Sequence, residues 1–258
     1  MTTMSTHIRI ITPHVTPKPQ KLVGLAPLKA FFPGLELSQA GLENGPVSIE
    51  GSFDEALCAP EVIARCLEAE REGVHGLVID CMGDPGLEAA REAVAVRVLG
   101  ACETTLHVAA TLGHKFSVVT VLDRVRPLLE RRAMIYGVNE KLASIRAVNV
   151  PVLEIEKDTK ALVAALLEQS KAAITQDHAD TIVLGCTGFI GVSDALEAAL
   201  REGGLRVPVL NPLRTAVAVA VSLNALGLAH SPRAFARADF SKRIQGFSFV
   251  TRQFPVPR

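Results

Sequence analysis

One stretch constrains the chain more than any other: Leu77-Val78-Ile79-Asp80-Cys81-Met82-Gly83-Asp84-Pro85-Gly86. Its short apolar run with β-branched residues reads as a buried strand. Gly-Asp-Pro-Gly cannot continue that strand. Asp84 suits a helix N-cap and Pro85 the first helical position, so a helix is expected over Leu87–Ala95. Cys81 then stands at the C-terminal end of a parallel strand, where ligand crevices of open α/β sheets form. A helix N-terminus at that place lowers the pKa of a thiol. The design occurs twice. Ile182-Val183-Leu184-Gly185-Cys186-Thr187-Gly188 is again an apolar run, a cysteine and a small-residue turn. Ser193 or Asp194 is placed to cap a helix through Ala195–Leu200. Two thiols at equivalent places in two similar units suit removal of a proton from one face of a carbon and its return on the other.

Composition narrows the classes. The 258 residues can bury a full core, as one large domain or two smaller ones. A formal charge of zero gives no overall bias towards nucleic acid or an anionic membrane. The most apolar segment, Thr215–Ala229, is too short for a span and carries Ser222 and Asn224. Residues 1–15 show no secretory leader, and the five cysteines then suggest free thiols in a reducing compartment. A cytoplasmic protein acting on a small molecule is expected, with no nucleic-acid or membrane partner.

In chain order, strands are predicted at Ile8–Ile11, Leu35–Leu37, Leu77–Asp80, Val96–Leu99, Phe116–Val121, within Ala147–Ile155, at Ile182–Leu184 and at Val207–Leu210. Helices are predicted at Gln20–Phe31, from Ser52 with a break at Pro60 and resumption over Glu61–Glu72, and over Glu103–Leu112, Asp123–Tyr136, Lys157–Gln176 and Leu213–Leu228. Alternating strands and helices with short links argue for α/β architecture built from βαβ units. Two pseudo-duplicated parallel-sheet sub-domains should meet near residue 100. One comprises 1–100 plus a returning helix in 212–230 and carries Cys81; the other spans 101–211 and carries Cys186. Residues 231–258 differ: six Arg or Lys against one acid, and five of the ten phenylalanines. That density of phenylalanine favours a segment docked on its own or a neighbouring subunit, with Phe247–Val250 able to serve as a strand.

The residues Gly45–Pro60 (GPVSIEGSFDEALCAP), Cys81–Glu92 (CMGDPGLEAARE), Phe116–Thr120 (FSVVT) and Leu184–Gly188 (LGCTG) resemble the hydantoin racemase branch of the aspartate/glutamate racemase superfamily. The likeness runs from Ile8 to Leu228. It implies two flavodoxin-like lobes with the active site in the cleft between them. It further implies a homo-oligomer and cofactor-independent, metal-free racemisation, with Cys81 and Cys186 as paired acid and base. Thr12, Pro13, His14, Met82, Gly83, Asp84, Thr120, Thr187 and Gly188 are the implied substrate contacts. A 5-substituted hydantoin or a related cyclic ureide such as allantoin is the implied substrate. The C5 proton of such a ring is acidic because the enolate is delocalised, and backbone amides in the two cysteine turns are placed to receive the enolate oxygen.

Two departures bear on the substrate. The family's first strand ends Asn-Pro-Asn-Thr, where this chain has Thr12-Pro13-His14-Val15. The hydantoin branch carries Ala after its second cysteine, where this chain has Thr187. Met82-Gly83 after the first cysteine, in place of Asn-Thr, argues against free aspartate or glutamate. Alternatives are malonate decarboxylation, cis–trans isomerisation of a maleate-type diacid, and a silent small-molecule sensor. Cys58, Cys66 and Cys102 read as core residues.

Overall fold

A computed structural model describes residues 5–242 and 244–254. Leu77, Val78 and Ile79 are fully buried on both faces, the condition of a central strand in a parallel sheet. They belong to strand β3 (Gly76–Ile79), which lies between β1 (Thr6–Ile11) and β4 (Arg97–Gly100), with β2 (Leu35–Ala40) outside β1. The second sheet repeats the arrangement. There β5 (Phe116–Thr120) lies between β6 (Leu142–Ala147) and β7 (Thr181–Leu184), and β8 (Val209–Leu210) flanks β7. All six pairings are parallel. In each sheet the first strand sends the chain outward and the third returns on its other side. The strand order therefore reverses between β1 and β3 and again between β5 and β7, where crevices open at the C-terminal ends. Cys81 follows β3 and Cys186 follows β7.

The helices are α1 (Gln20–Leu25), α2 (Leu28–Phe31), α3 (Ser52–Arg71), α4 (Leu87–Ala93), α5 (Ala101–Leu112), α6 (Arg126–Ile135), α7 (Thr159–Thr175), α8 (Ser193–Glu202), α9 (Pro212–Ala225) and α10 (Ser248–Thr251). Helix α9 returns to the first sheet, where Leu213, Ala216, Val217 and Ala220 pack among Ile8, Ile10 and Val78. Its N-cap Asn211 accepts from the Arg214 amide at 3.0 Å, as Asp158 caps α7 through the Ala161 amide at 2.9 Å.

Four local expectations are corrected. Helix α3 runs unbroken through Pro60, because the carbonyl that loses its partner belongs to exposed Ala56 and stays solvated. The predicted helix over Gln20–Phe31 is two short ones separated at Ala26–Pro27. The strand sought within Ala147–Ile155 lies earlier, at Leu142–Ala147, and Val152–Glu154 form a 3₁₀ turn. Phe247–Val250 is not a strand, since Ser248–Thr251 make one helical turn.

That turn belongs to a tail folded onto its own first lobe. Val250 is buried in the cluster beneath α3 and α4, with Phe240, Phe249 and Phe254 against it. The Ala238 amide donates to the Glu92 carbonyl at 2.9 Å, and Arg237 pairs with Glu70 at 3.0 Å. Residues 243 and 255–258 of the expected tail lie outside the described ones.

Candidate active site

The two cysteine turns share a backbone solution. After β3 the chain turns so that the Asp84 amide bonds the Cys81 carbonyl at 3.2 Å, and the Gly83 amide donates to Cys81 Sγ at 3.4 Å. After β7 the Phe189 amide bonds the Cys186 carbonyl at 3.3 Å, and the Gly188 amide donates to Cys186 Sγ at 3.3 Å. Each thiol is thus held by the N–H two residues on, a donor that favours the thiolate. Cys81 and Cys186 are half-buried residues, while Cys58, Cys66 and Cys102 are buried.

The lowering expected of helix N-termini at these thiols is outweighed by burial. Helices α4 and α8 begin only at Leu87 and Ser193, beyond the short reach of a helix terminus. Burial instead pushes both thiols up, Cys81 well above the ordinary value and Cys186 in the same direction. The Gly83 and Gly188 amides oppose that rise. These two amides are engaged by sulfur, so they are not free to receive an enolate oxygen as the sequence suggests.

Asp84 does not cap α4. Its backbone is left-handed, with φ 47°, and its carboxylate turns to the start of α5. There it accepts from the amides of Cys102 at 2.9 Å and Glu103 at 2.7 Å, and from the Tyr136 hydroxyl at 2.8 Å. Burial outweighs these donors and raises its pKa to about 6. Helix α4 begins after Gly86, whose φ of 71° suits glycine, and α8 follows Val192 without a side-chain cap.

Between the sheets lies a narrow pocket. Pro13, His14 and Cys81 line it from one lobe, and Cys186, Thr187, Gly188 and Val152 from the other. Lys18, Lys21, Ile49 and Asp80 complete the lining. Both cysteines line this one pocket. His14 is driven down to about 4, first by burial and then by Lys21, so it is neutral near pH 7. Its Nδ1 accepts from the Thr16 amide at 3.3 Å, which places the proton on Nε2.

Beneath the pocket runs a buried polar network. Lys21 and Asp80, 4% and 2% exposed, form an ion pair at 2.5 Å. Asp80 also accepts from Thr12 Oγ1 at 2.9 Å, and Thr12 from Gln39 Nε2 at 2.8 Å. Across the cleft, Thr187 Oγ1 donates to the Asp80 carbonyl at 3.1 Å and lies 3.4 Å from Lys21 Nζ. The two sequence departures, at Thr12 and Thr187, therefore meet on one aspartate.

Other expected contacts lie elsewhere. Met82 is buried in the second lobe's core cluster. Thr120 is fully buried, and its hydroxyl donates to the Gly185 carbonyl at 3.1 Å, tying β5 to the end of β7. Gly83 sits behind Cys81 with the Glu55 carboxylate against it; a Cβ there would fall 1.5 Å from Glu55 Oε1. Glu50 and Glu55 link the lobes, Glu50 by accepting from the Val152 amide at 3.0 Å and Glu55 by pairing with Arg132 at 3.3 Å. Sequence reasoning missed Lys18, Lys21, Ile49, Asp80 and Val152. Of these only Asp80 carries a signal, a lone charge closing a strand buried on both faces.

Two pseudo-duplicated parallel sheets, each delivering a cysteine to a shared crevice, place the chain among two-lobed α/β proteins with an interlobe site. The sequence profile of the Asp/Glu/Hydantoin racemase family matches residues 26–220, and the chain belongs to that family. It is 36% identical over 220 residues to a hydantoin racemase of Pseudomonas sp. (strain NS671), covering 85% of this chain and 86% of that one. The solved structure of an allantoin racemase from Klebsiella pneumoniae superposes with a TM-score of 0.86 at 31% identity, over 96% of this chain and 98% of the other. An allantoin racemase from Pseudomonas fluorescens gives 0.84 at 32%, over 93% and 100%. The chain is an isomerase of the racemase class. Among the described residues no helix is long and apolar enough to cross a membrane.

Proposed function

We propose that this racemase acts, without a cofactor, on a 5-substituted hydantoin or a related cyclic ureide of the allantoin kind, using Cys81 and Cys186 as paired acid and base. One observation carries the reading: two half-buried cysteines, one from each lobe, line one pocket, each sulfur with its own backbone N–H donor. One thiolate takes the C5 proton and the ring holds the resulting charge as an enolate. The opposite thiol then protonates C5 on the other face. The product is the mirror image, and the thiolate has moved from one cysteine to the other.

The pocket's chemistry suits a ring bearing carbonyls. Neutral His14 offers Nε2–H, and Lys21 has a donor beyond its bond to Asp80. These groups are available to carbonyl oxygens, and a hydantoin carbonyl gains negative charge in the enolate. A thiol matches this substrate because its ring-activated C5–H is far more acidic than that of a free amino acid. Protonation after decarboxylation needs one thiol, so retention of two favours racemisation.

The test is proton NMR in D₂O on single enantiomers of several 5-substituted hydantoins and of allantoin, with an enzyme-free control. Enzyme-dependent loss of the C5 proton signal together with decay of optical rotation is expected. No exchange above the control for every ring would remove this substrate class, and malonates and maleate would then be tried.

A further inference from the structure

The two thiols occupy matching turns but face different charges. Lys21 from α1, Asp80 from the end of β3, and Lys18 and His14 from the preceding loop line the pocket that both thiols share, and Lys21 reaches the neighbour of Cys186, Thr187, at 3.4 Å. Of the two buried charges, the ammonium of Lys21 acts on Cys186 more strongly than the Asp80 carboxylate does. Lys18 adds to it, although Lys18 is also bound to Glu156 at 2.8 Å. Lys21 is fixed, because Asp80 grips it and Thr187, the neighbour of Cys186, lies 3.4 Å from its Nζ. Behind the Cys81 turn stands a carboxylate that the Cys186 turn lacks, Glu55 of α3, set against Gly83. Glu55 and Cys58 approach it from α3, and Glu55 Oε1 is buried without a hydrogen-bond partner among the described residues. Arg132 satisfies only the other oxygen of that carboxylate, at 3.3 Å.

We infer that Lys21, held in place by Asp80, is a positioning residue that favours loss of the proton from Cys186 over loss from Cys81. The inference rests on the two-thiol reading above and adds an order to it. Of the two thiols, the one on the second lobe then ionises first and serves first as base, with the one on the first lobe as acid. Turnover of one enantiomer inverts that arrangement, and proton exchange with solvent or turnover of the other enantiomer restores it. The Thr12 and Thr187 departures acquire a common purpose. Both bind Asp80, and Asp80 holds the ammonium beside Cys186.

The experiment labels the whole protein with iodoacetamide across pH and follows each cysteine by mass spectrometry. Wild type should label Cys186 at lower pH than Cys81. Lys21→Met should move the Cys186 curve up by about one pH unit, the lower end for loss of a charge at close range. Asp80→Asn removes the opposing charge and keeps an acceptor oxygen for Lys21 and Thr12, so it should move the same curve down. Cys81 should shift less in both variants. A structural disturbance has no reason to act with opposite signs in the two variants, so that opposition identifies a charge effect. Equal shifts at both cysteines, shifts of the same sign, or earlier labelling of Cys81 in wild type would overturn the inference. Buried Cys58, Cys66 and Cys102 report the fold: if they label in Lys21→Met, the Asp80→Asn curve decides alone. Labelling needs no substrate, so failure of the substrate assignment would appear in the NMR experiment and not here.

Discussion

The Cys81 and Cys186 turns are one backbone device built twice with different supports. Both end a buried central strand, both bend within two residues, and both aim an amide at sulfur. The Cys81 turn is backed by carboxylates, Glu55 against Gly83 and Asp84 buried at the start of α5. The Cys186 turn is backed by packing, with Gly185 pressed against Thr120, and it faces the Lys21 ammonium. The repeated fold supplies the geometry of two opposed thiols. The unrepeated side chains supply the difference in charge that, under the proposed mechanism, sets which thiol acts as base and which as acid.

The largest effect should come from the sulfurs. Cys81→Ser and Cys186→Ser should each lower racemisation by about 10³-fold, in the range of a lost general acid or base, as read by optical rotation. The variants should differ from each other in D₂O. Cys81→Ser keeps the base favoured by Lys21 and should still exchange the C5 proton of one enantiomer. Cys186→Ser should exchange the other enantiomer more slowly. Near wild-type racemisation in either variant would end the two-thiol mechanism.

Next is the carboxylate found only behind the first turn. Asp84 has its pKa raised to about 6 from an ordinary 3.8, so the folded state binds its proton more tightly than the unfolded one. Its contribution to stability is greatest below the unfolded value, falls as pH rises through that window, and is level above about 6. The span is on the order of 3 kcal/mol. Urea unfolding of wild type and Asp84→Asn across this window should show wild type losing ground to the variant as pH rises. Parallel curves would mean that the Asp84 proton does not distinguish the two states.

The glycines separate the turns by a smaller margin. A Cβ at Gly185 would meet the Thr120 backbone at 2.8 Å, so Gly185→Ala must move a strand. It should cost about 1–3 kcal/mol, as overpacking does. At Gly83 the obstacle is the end of the Glu55 side chain, which can swing away. Gly83→Ala should therefore cost less stability by thermal melting and should loosen the Glu55–Arg132 link instead.

The sequence made the shared device legible and hid most of the differences. Periodicity and the two apolar–cysteine–glycine runs revealed all the strands but β6, their parallel pairing and the place of both thiols, because these depend on local pattern. Asp84 misled, since a carboxylate before Pro-Gly reads as a local cap, whereas it reaches the first turn of α5. Thr120 misled likewise, because a hydroxyl at a strand end gives no sign that it points at the Gly185 carbonyl. Lys21 was invisible. It looks like any lysine on a short surface helix, and only the fold brings it, buried, against Asp80 just after β3.

The smallest effect tests the carboxylate side of the charge difference. Glu55 is itself pushed up, first by burial, and Arg132 only partly compensates, so its negative charge raises Cys81. Glu55→Gln preserves the shape and an oxygen for Arg132 while removing that charge. The Cys81 labelling curve should move down, by less than the shift that Lys21→Met produces at Cys186, because burial and not Glu55 is the main cause of the raised Cys81 pKa. Cys186 should stay where it is, since Glu55 is not among the charges around it. A downward shift at Cys81 alone would show that the lobes are tuned independently, each by the charge on its own side of the cleft. Equal movement of both curves would show instead that the thiols titrate as one coupled pair, and the distinction between the first base and the first acid would then belong to the pair as a whole.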